Sequence, residues 1–234
     1  MDDITKNSVT DLIMTDLYSM RDEGYASFSS SLIPSVSSDR VIGVRVPALR
    51  KYAKNMPWDM ALIFMSALPH SFLEEYELHA YLIDRIADFD SAVTSVEAVL
   101  PYVDNWAVCD GMRPKIFAAN TDKLYEYVCK WIGSEHTYTV RYAIGMLCSY
   151  YLDSAFSAEH LSLVAAVKSD DYYVNMMAAW YFATAIVKQR ETALAFVLCA
   201  DLSDKVLSMT VRKSIESCRV SDEDKACLRM LKRK

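Results

Sequence analysis

The sequence predicts an all-α protein, and three observations lead to that prediction. Glycine and proline are scarce, at 5 and 6 of 234 residues, so the chain lacks the turn residues that a sandwich, a barrel or a multi-stranded sheet needs. Apolar residues recur at helical spacing along most of the chain. The predicted helices are joined by only a few residues each, as antiparallel helix neighbours require.

Capping residues and prolines mark where the predicted helices begin and end. The first helix opens at Ser8 and Thr10 and carries its apolar residues on one face. Pro34 ends the second helix, and Pro47 occupies a first helical position in the third. Further helices are predicted over 58–67, 71–86, 89–99, 113–118, 121–132, 137–152, 157–168, 171–188, 190–199, 204–218 and 221–233.

A weak internal repeat arranges these helices in pairs. The segments YVDNWAV, TVRYAIG, YVNMMAAW and TVRKSIE each place a valine after Tyr or Thr at a predicted helix start. The valines are Val103, Val140, Val174 and Val211, at intervals of 37, 34 and 37 residues. This spacing predicts an α-solenoid of HEAT-like helical repeats, and its alternative is a chance recurrence of a common helix start.

In such a solenoid the second helix of each pair lines a concave groove. The residues that follow each valine are therefore expected to share that groove. They are Asn105, Trp106, Arg141, Asn175, Trp180, Arg212 and Lys213.

Several features of the sequence limit the class of protein to which the chain can belong. No linker rich in Gly, Pro or Ser separates two halves, so we predict one domain over 1–234 and expect a monomer. No run reaches the roughly 18 apolar residues of a membrane helix, and the N-terminal segment MDDITKNSVTD is too polar for a secretory signal. Six scattered cysteines without a Cys-x-x-Cys pair predict reduced, mostly buried thiols in a cytoplasmic protein.

The sequence argues against a metal ion or a nucleotide cofactor. Its four histidines are isolated from one another and from the cysteines, so no cluster has metal-ligand spacing. With 5 glycines it also has no phosphate-binding glycine loop. We expect a protein that works without metal and without cofactor.

Charge is segregated along the chain. The net charge is −6, which argues against nucleic acid as a partner. Yet 40–54 holds five basic residues and no acid, and 205–234 holds nine bases against four acids. This pattern can build a basic face on an acidic protein, and its alternative is that the charges only solubilise exposed helix faces.

One short segment combines an aromatic ring with an acid. Trp106 and Asp110 are four residues apart, so on a helix they share one face. Arg141 begins a predicted helix, where a cation opposes the macrodipole unless an anion lies nearby. The wider candidate set adds Tyr142, Tyr172, Tyr173 and Trp180. The alternative is that the aromatic residues pack in the core and Asp110 marks a helix end.

Five blocks of the sequence together resemble the AlkD-type DNA alkylation repair proteins, which are HEAT-like-repeat DNA glycosylases. The resemblance runs in order over nearly the whole chain. The blocks are VIGVRVPALRKYAK (41–54), PYVDNWAVCDGM (101–112), VRYAIGML (140–147), DYYVNMMAAWYFA (171–183) and VRKSIESCRV with LRMLKR (211–233).

The resemblance implies hydrolysis of the N-glycosidic bond of 3-methyladenine or 7-methylguanine in duplex DNA, as in base excision repair. An alkylated purine already carries positive charge, so it leaves easily and the enzyme has mainly to stabilise an oxocarbenium-like sugar. Asp110 is expected to do this and to position water, as carboxylates do in glycoside hydrolysis. Trp106 and Trp180 are expected to form walls that favour the charged nucleotide.

The resemblance also implies contacts to the DNA backbone. Arg141 is expected to hold a phosphate through charge-assisted hydrogen bonds. The other cations expected to bind DNA are Arg45, Arg50, Lys51, Arg212 and Lys213. Two alternatives use no catalysis, namely an α-solenoid that binds DNA or RNA structures and a scaffold that binds a protein partner.

Overall fold

A computed structural model describes residues 3–231, with side chains from Ser8 onward. Within this range the secondary structure consists of helices, with three short 3₁₀ segments at Ser38–Arg40, Leu100–Tyr102 and Lys115–Ala119. The α-helices are α1 (Asp3–Ser19), α2 (Glu23–Leu32), α3 (Val46–Asn55), α4 (Trp58–Met65), α5 (Leu73–Ile83), α6 (Phe89–Val99), α7 (Trp106–Gly111), α8 (Thr121–Ile132), α9 (Thr137–Tyr150), α10 (Ala158–Ala165), α11 (Tyr172–Lys188), α12 (Arg190–Cys199), α13 (Asp204–Glu216) and α14 (Asp222–Leu231).

The predicted all-α fold is confirmed, and the bounds of several helices differ from the prediction. Ser8 and Thr10 lie inside α1 instead of capping it, because Ser and Thr cost a helix interior only tenths of a kcal/mol. The helix predicted over 113–118 is a 3₁₀ segment that begins at Lys115, since Pro114 disfavours helical backbone at the residue before it. The helix predicted to end at 233 is described to Leu231, and residues 232–233 lie outside the described part of the chain.

The chain forms two compact units, one ending at Ala119 and the next beginning at Asn120. In the first unit, α5 packs against α3, α4 and α7. Every residue of α5 is buried, including its three glutamates. Helix α5 is therefore the central element of this unit, and polar groups on it need partners from the helices around it.

The second unit consists of helix pairs that pack in succession. Helices α8 and α9 form the first pair, and α11 packs against both α9 and α13. Large side chains such as Tyr142, Tyr181 and Phe182 are fully buried between these helices. This unit confirms the predicted repeat of packed helix pairs.

The repeated valines do not occupy equivalent positions. All four are buried, as expected of core residues. Val140 and Val174 lie near the starts of α9 and α11, whereas Val103 precedes α7 and Val211 lies in the middle of α13. The prediction that TVRKSIE begins a helix is wrong, because α13 starts at the cap Ser203, whose hydroxyl accepts the Val206 amide N–H.

The prediction of mostly buried thiols is also wrong. Cys109 is buried, Cys148 and Cys227 are half-buried, and Cys129 and Cys199 are exposed, as is Cys218. Helical register places Cys129 of α8 and Cys199 of α12 on outer faces, and Cys218 lies in the turn between α13 and α14. No helix in the described range has the length and the apolar character to cross a bilayer.

Candidate functional site

Helix α7 presents the two residues that the sequence singles out in the first unit. Trp106 is its first residue and Asp110 its fifth, so they share a face, and both side chains are partly exposed. The helix starts there because Asn105 caps it, its Oδ1 accepting the Val108 amide N–H at 3.0 Å. Asn105 is itself buried and also donates from Nδ2 to Asp104 Oδ1 at 2.9 Å.

The start of α7 is tied to neighbouring elements. The indole Nε1–H of Trp106 donates to the carbonyl of Leu32, the last residue of α2, at 3.2 Å. Asp104 Oδ2 accepts from Arg40 Nη1 at 2.6 Å. These two contacts fix the direction of the ring and the entry of the chain into α7.

The end of α7 is tied to the end of α5. Asp84, which follows α5, accepts the backbone N–H of Arg113 through Oδ1 at 3.0 Å. The side chain of Arg113 turns back, and its Nε donates to the Asp110 carbonyl at 2.9 Å. Gly111 lies against the ring of Tyr81. Helix α7 therefore packs on α5 next to Asp110, the candidate carboxylate.

Helix α5 carries a row of polar side chains toward these neighbours. Glu74, Glu77, Tyr81 and Asp84 recur at helical spacing and therefore share one face. Glu74 accepts the backbone N–H groups of residues 42–44 at 2.9, 2.6 and 3.3 Å. The middle residue of that loop, Gly43, has φ +96°, and a Cβ there would lie 2.5 Å from the Asp22 carbonyl oxygen, so only glycine fits.

Two acids on this face have unusual pKa values. Burial, reinforced by the charge of Glu74 and opposed by Arg50, raises the pKa of Glu77 to about 8. Burial also raises the pKa of Asp84 to about 6. The hydrogen bond from the Arg113 amide and the charges of Arg50, Lys115 and Arg113 lower this pKa, but burial has the larger effect. This face was not predicted from the sequence. Its signal is the recurrence of Glu74, Glu77, Tyr81 and Asp84 at intervals of three and four residues, which places them on one side of a helix.

Helix α3 and its N-cap hold three of the predicted DNA-binding cations. Arg50 lies over the ring of Tyr81, with Cζ 4.1 Å from the centroid. Arg45 pairs with Asp22 at 2.8 Å and lies 5.2 Å above the Tyr25 ring. Lys51 is exposed. Arg45 and Arg50 therefore have partners within the protein, and Lys51 faces solvent.

In the second unit, Trp180 lines an open cleft between α11 and α13. Its side chain is 50% exposed, and Lys213 Nζ lies 5.3 Å from the ring centroid. The cleft has a volume of about 390 Å³, and Glu216 and Arg219 contribute to its other wall. An indole beside ammonium and guanidinium groups suits a ligand with both an apolar face and a negative charge.

The two predicted cations of α13 share one acid. Arg212 Nε lies 2.9 Å from Glu216 Oε1, and Lys213 Nζ lies 3.1 Å from Glu216 Oε2. All three residues are in the last two turns of the helix, where the negative end of the helix macrodipole also stabilises cations. These exposed pairs are weak, so a phosphate can replace the carboxylate at little cost.

Arg141, Asn175 and Asn105 are buried, contrary to the expectation that they line a groove. Arg141 is 5% exposed, and its Nη1 donates to the Tyr173 carbonyl at 2.7 Å. Asn175 is 2% exposed and donates from Nδ2 to the Ser169 carbonyl at 2.9 Å. The side chains of Arg141 and Asn175 both donate to main-chain carbonyls at the start of α11, that of Tyr173 in its first turn and that of Ser169 just before it, and so hold this part of the backbone in place.

The structure thus brings the predicted residues together in two groups. Trp106 and Asp110 share α7 in the first unit, and Trp180 meets Lys213 in the second. Of the remaining aromatic candidates, Tyr142 is buried and Tyr172 is exposed. Among the residues that the structure describes, no three His, Cys, Asp or Glu side chains converge as metal ligands do.

Comparison with known proteins gives one positive result. The model of a protein family described as DNA alkylation repair enzyme matches residues 13–197, which is well over half of the chain and includes both Trp106 with Asp110 and Trp180. A search of curated proteins finds no match.

Proposed function

The chain belongs to the DNA alkylation repair enzyme family, and from that membership we propose that it is a DNA glycosylase. Its substrates in this proposal are cationic alkylated purines in duplex DNA, 3-methyladenine and 7-methylguanine, and the bond hydrolysed is the N-glycosidic bond. The observation that carries the proposal is helix α7, which places an indole and a carboxylate one turn apart, partly exposed and anchored at both ends.

Asp110 is the group proposed to act on the sugar. Breaking the C1′–N bond sends the bonding electrons to the base, which neutralises its positive charge, and leaves an oxocarbenium-like sugar. A carboxylate beside C1′ stabilises that cation and orients the water whose oxygen bonds to C1′. The proton released by this water passes to Asp110 or to solvent.

The two tryptophans are proposed to recognise the charged nucleotide. The face of an indole attracts cations and packs well against deoxyribose. Trp106 is suited to this because its N–H bond to Leu32 fixes the ring. Trp180 is suited to it because half of its surface is open and Lys213 beside it can meet a backbone phosphate.

The proposed phosphate contacts differ in their exposure. Arg212 and Lys51 are exposed, and Lys213 is half-buried beside Trp180. Arg141 is buried and donates to the Tyr173 carbonyl, so it would have to change its position to reach a phosphate. Arg45, Arg50 and Arg212 would each have to exchange a protein partner for a phosphate.

The decisive experiment compares the wild type with Asp110→Asn on methylated duplex DNA. We expect D110N to lose excision of 7-methylguanine by about 100-fold or more, since a neutral amide cannot stabilise a developing cation as a carboxylate does. Binding to the same DNA should change less than about twofold. The measurement is base release under single-turnover conditions, together with fluorescence anisotropy.

Asp59→Asn provides a matched control, because Asp59 is an exposed aspartate on α4 of the same unit. It should excise at the wild-type rate. Full activity of D110N would remove Asp110 from the mechanism and overturn the proposal.

A second candidate function is a scaffold that binds a protein partner without catalysis. It is favoured by the net charge of −6 and by the pairing of candidate cations with acids, Arg45 with Asp22 and Arg212 with Glu216. Both weaken the electrostatic attraction between the protein and DNA. A wild-type protein that neither binds duplex DNA nor releases a methylated purine would support this candidate.

A further inference from the structure

We propose that Asp84 is a positioning residue for Asp110, acting through the turn that ends α7. This inference rests on the proposed function, since it assigns Asp84 a role only through Asp110. Its basis is a chain of contacts that leads from the end of α5 to the backbone of the candidate carboxylate.

The contacts run in two short steps. Asp84 Oδ1 accepts the Arg113 backbone N–H at 3.0 Å, and Arg113 Nε donates to the Asp110 carbonyl at 2.9 Å. Arg113 is thus held at its backbone by α5 and holds the last turn of α7 with its side chain.

Helix α7 needs such support because it is short. With six residues it forms very few internal hydrogen bonds, so its direction depends on its neighbours. Asn105 and Trp106 anchor its start, and the bond from Arg113 to Asp84 anchors its end. Losing the second anchor would let the Asp110 end move while the Trp106 end stays in place.

The position of Asp84 is unfavourable for a charged side chain. The side chain is half-buried, and Arg50, Lys115 and Arg113 are the cations that act on it. Burial outweighs them and raises its pKa to about 6. The ionised form therefore costs the fold free energy at neutral pH, and a residue kept at such a cost is a candidate for function.

The expected consequence is a loss of rate without a loss of binding. Displacement of a catalytic group by about 1 Å lowers rates by up to about 100-fold, whereas contacts to the DNA backbone elsewhere are unaffected. The charge of Asp84 itself is not required in this role. An uncharged oxygen at the same position can accept the Arg113 N–H.

The test compares Asp84→Leu and Asp84→Asn. Leucine keeps the branching at Cγ without an acceptor, and asparagine keeps an acceptor oxygen. We expect D84L to slow single-turnover excision about 30-fold with DNA affinity within twofold, and D84N to stay within about threefold of the wild-type rate. Because burial disfavours the carboxylate, the Tm of D84L should equal or exceed that of the wild type, which separates the rate loss from unfolding.

Hydrogen exchange gives a readout that does not depend on catalysis. In D84L, peptides covering 106–114 should exchange faster than in the wild type, and in D84N they should not. Asp88→Ala is the matched control, since Asp88 also accepts a backbone N–H, that of Ser91 at 2.8 Å, but caps α6. It should leave the excision rate and the exchange of 106–114 unchanged.

The outcomes separate this inference from the proposed function. If D110N retains activity, the proposed function fails, and the exchange data still decide whether Asp84 holds the turn. If D110N is inactive but D84L excises at the wild-type rate, the positioning role is overturned. A D84N variant as slow as D84L would also overturn it, because an acceptor at the position would then be insufficient.

Discussion

Glu77 is an acid in the interior of the first unit. Glu77 is 8% exposed. Burial and the charge of Glu74 raise its pKa from an ordinary value of 4.5 to about 8, and the charge of Arg50 partly opposes this rise. Between these two pH values the folded chain binds a proton that the unfolded chain has lost. The contribution of Glu77 to the free energy of unfolding is therefore complete below about pH 4.5 and falls as the pH rises through about 8.

This linkage predicts how Glu77→Gln behaves. At pH 4 the variant and the wild type should have Tm values within about 1 °C of each other, because Glu77 is then mostly neutral in both the folded and the unfolded chain. At pH 9 the variant should be more stable by at least about 3 °C, since only the wild type then buries a charge. Thermal unfolding across this pH range makes the comparison.

Glu126→Gln is the control for this measurement, because Glu126 is exposed on α8. Its Tm should follow the wild type at every pH. A difference between E77Q and the wild type that does not vary with pH would contradict the linkage.

Among the elements, α14 is attached to α12 through Arg190, which pairs with Asp224 and, at 3.9 Å, with Glu223. Asp224 lies in its first turn and accepts two hydrogen bonds from Arg190 of α12, at 2.8 and 2.7 Å. The side chain of Asp224 is 4% exposed, and the bonds from Arg190 hold its pKa below its ordinary value of 3.8. A two-bond pair with one buried partner orders a terminal helix that has little core of its own.

We therefore expect Asp224→Ala to loosen α14. The Tm should fall by a few degrees, and amides of 222–231 should exchange faster than in the wild type while those of α9 and α11 stay protected. Asp222→Ala, an exposed change in the same turn, is the control and should do neither. Unchanged exchange over 222–231 in D224A would show that the ion pair does not hold the helix.

At the scale of the whole molecule, charge limits how the protein can bind DNA. A net charge of −6 repels the duplex, so affinity has to come from a few local cations. Several of these are paired with acids, as Arg212 is with Glu216. Binding should then be modest, insensitive to sequence and strongly dependent on salt.

Arg141→Ala tests whether a buried cation takes part in this binding. If Arg141 reaches a phosphate, R141A weakens binding to all sequences alike and lowers the slope of log affinity against log salt by about one. Arg212→Ala should do the same and serves as the comparison. A lower Tm with an unchanged salt slope in R141A would mean that Arg141 serves the Tyr173 carbonyl alone.

The sequence predicted the helical elements better than the site. Helices α8 and α12 agree with their predicted bounds of 121–132 and 190–199, because apolar residues recur at helical spacing within each segment. It also identified Trp106 and Asp110 as one turn of helix. It missed Asp84 and the polar face of α5, whose significance lies in contacts with α3 and with the end of α7.

What the sequence determined by itself is therefore local: an all-α chain, the places where most helices begin and end, and the shared face of Trp106 and Asp110. These follow from side-chain spacing and backbone preference within a few residues. Only the tertiary structure decided that Arg141 is buried, that three cysteines are exposed and that Asp84 meets Arg113. Burial and hydrogen-bond partners depend on residues distant in the chain, and no local pattern records which distant residue will come into contact.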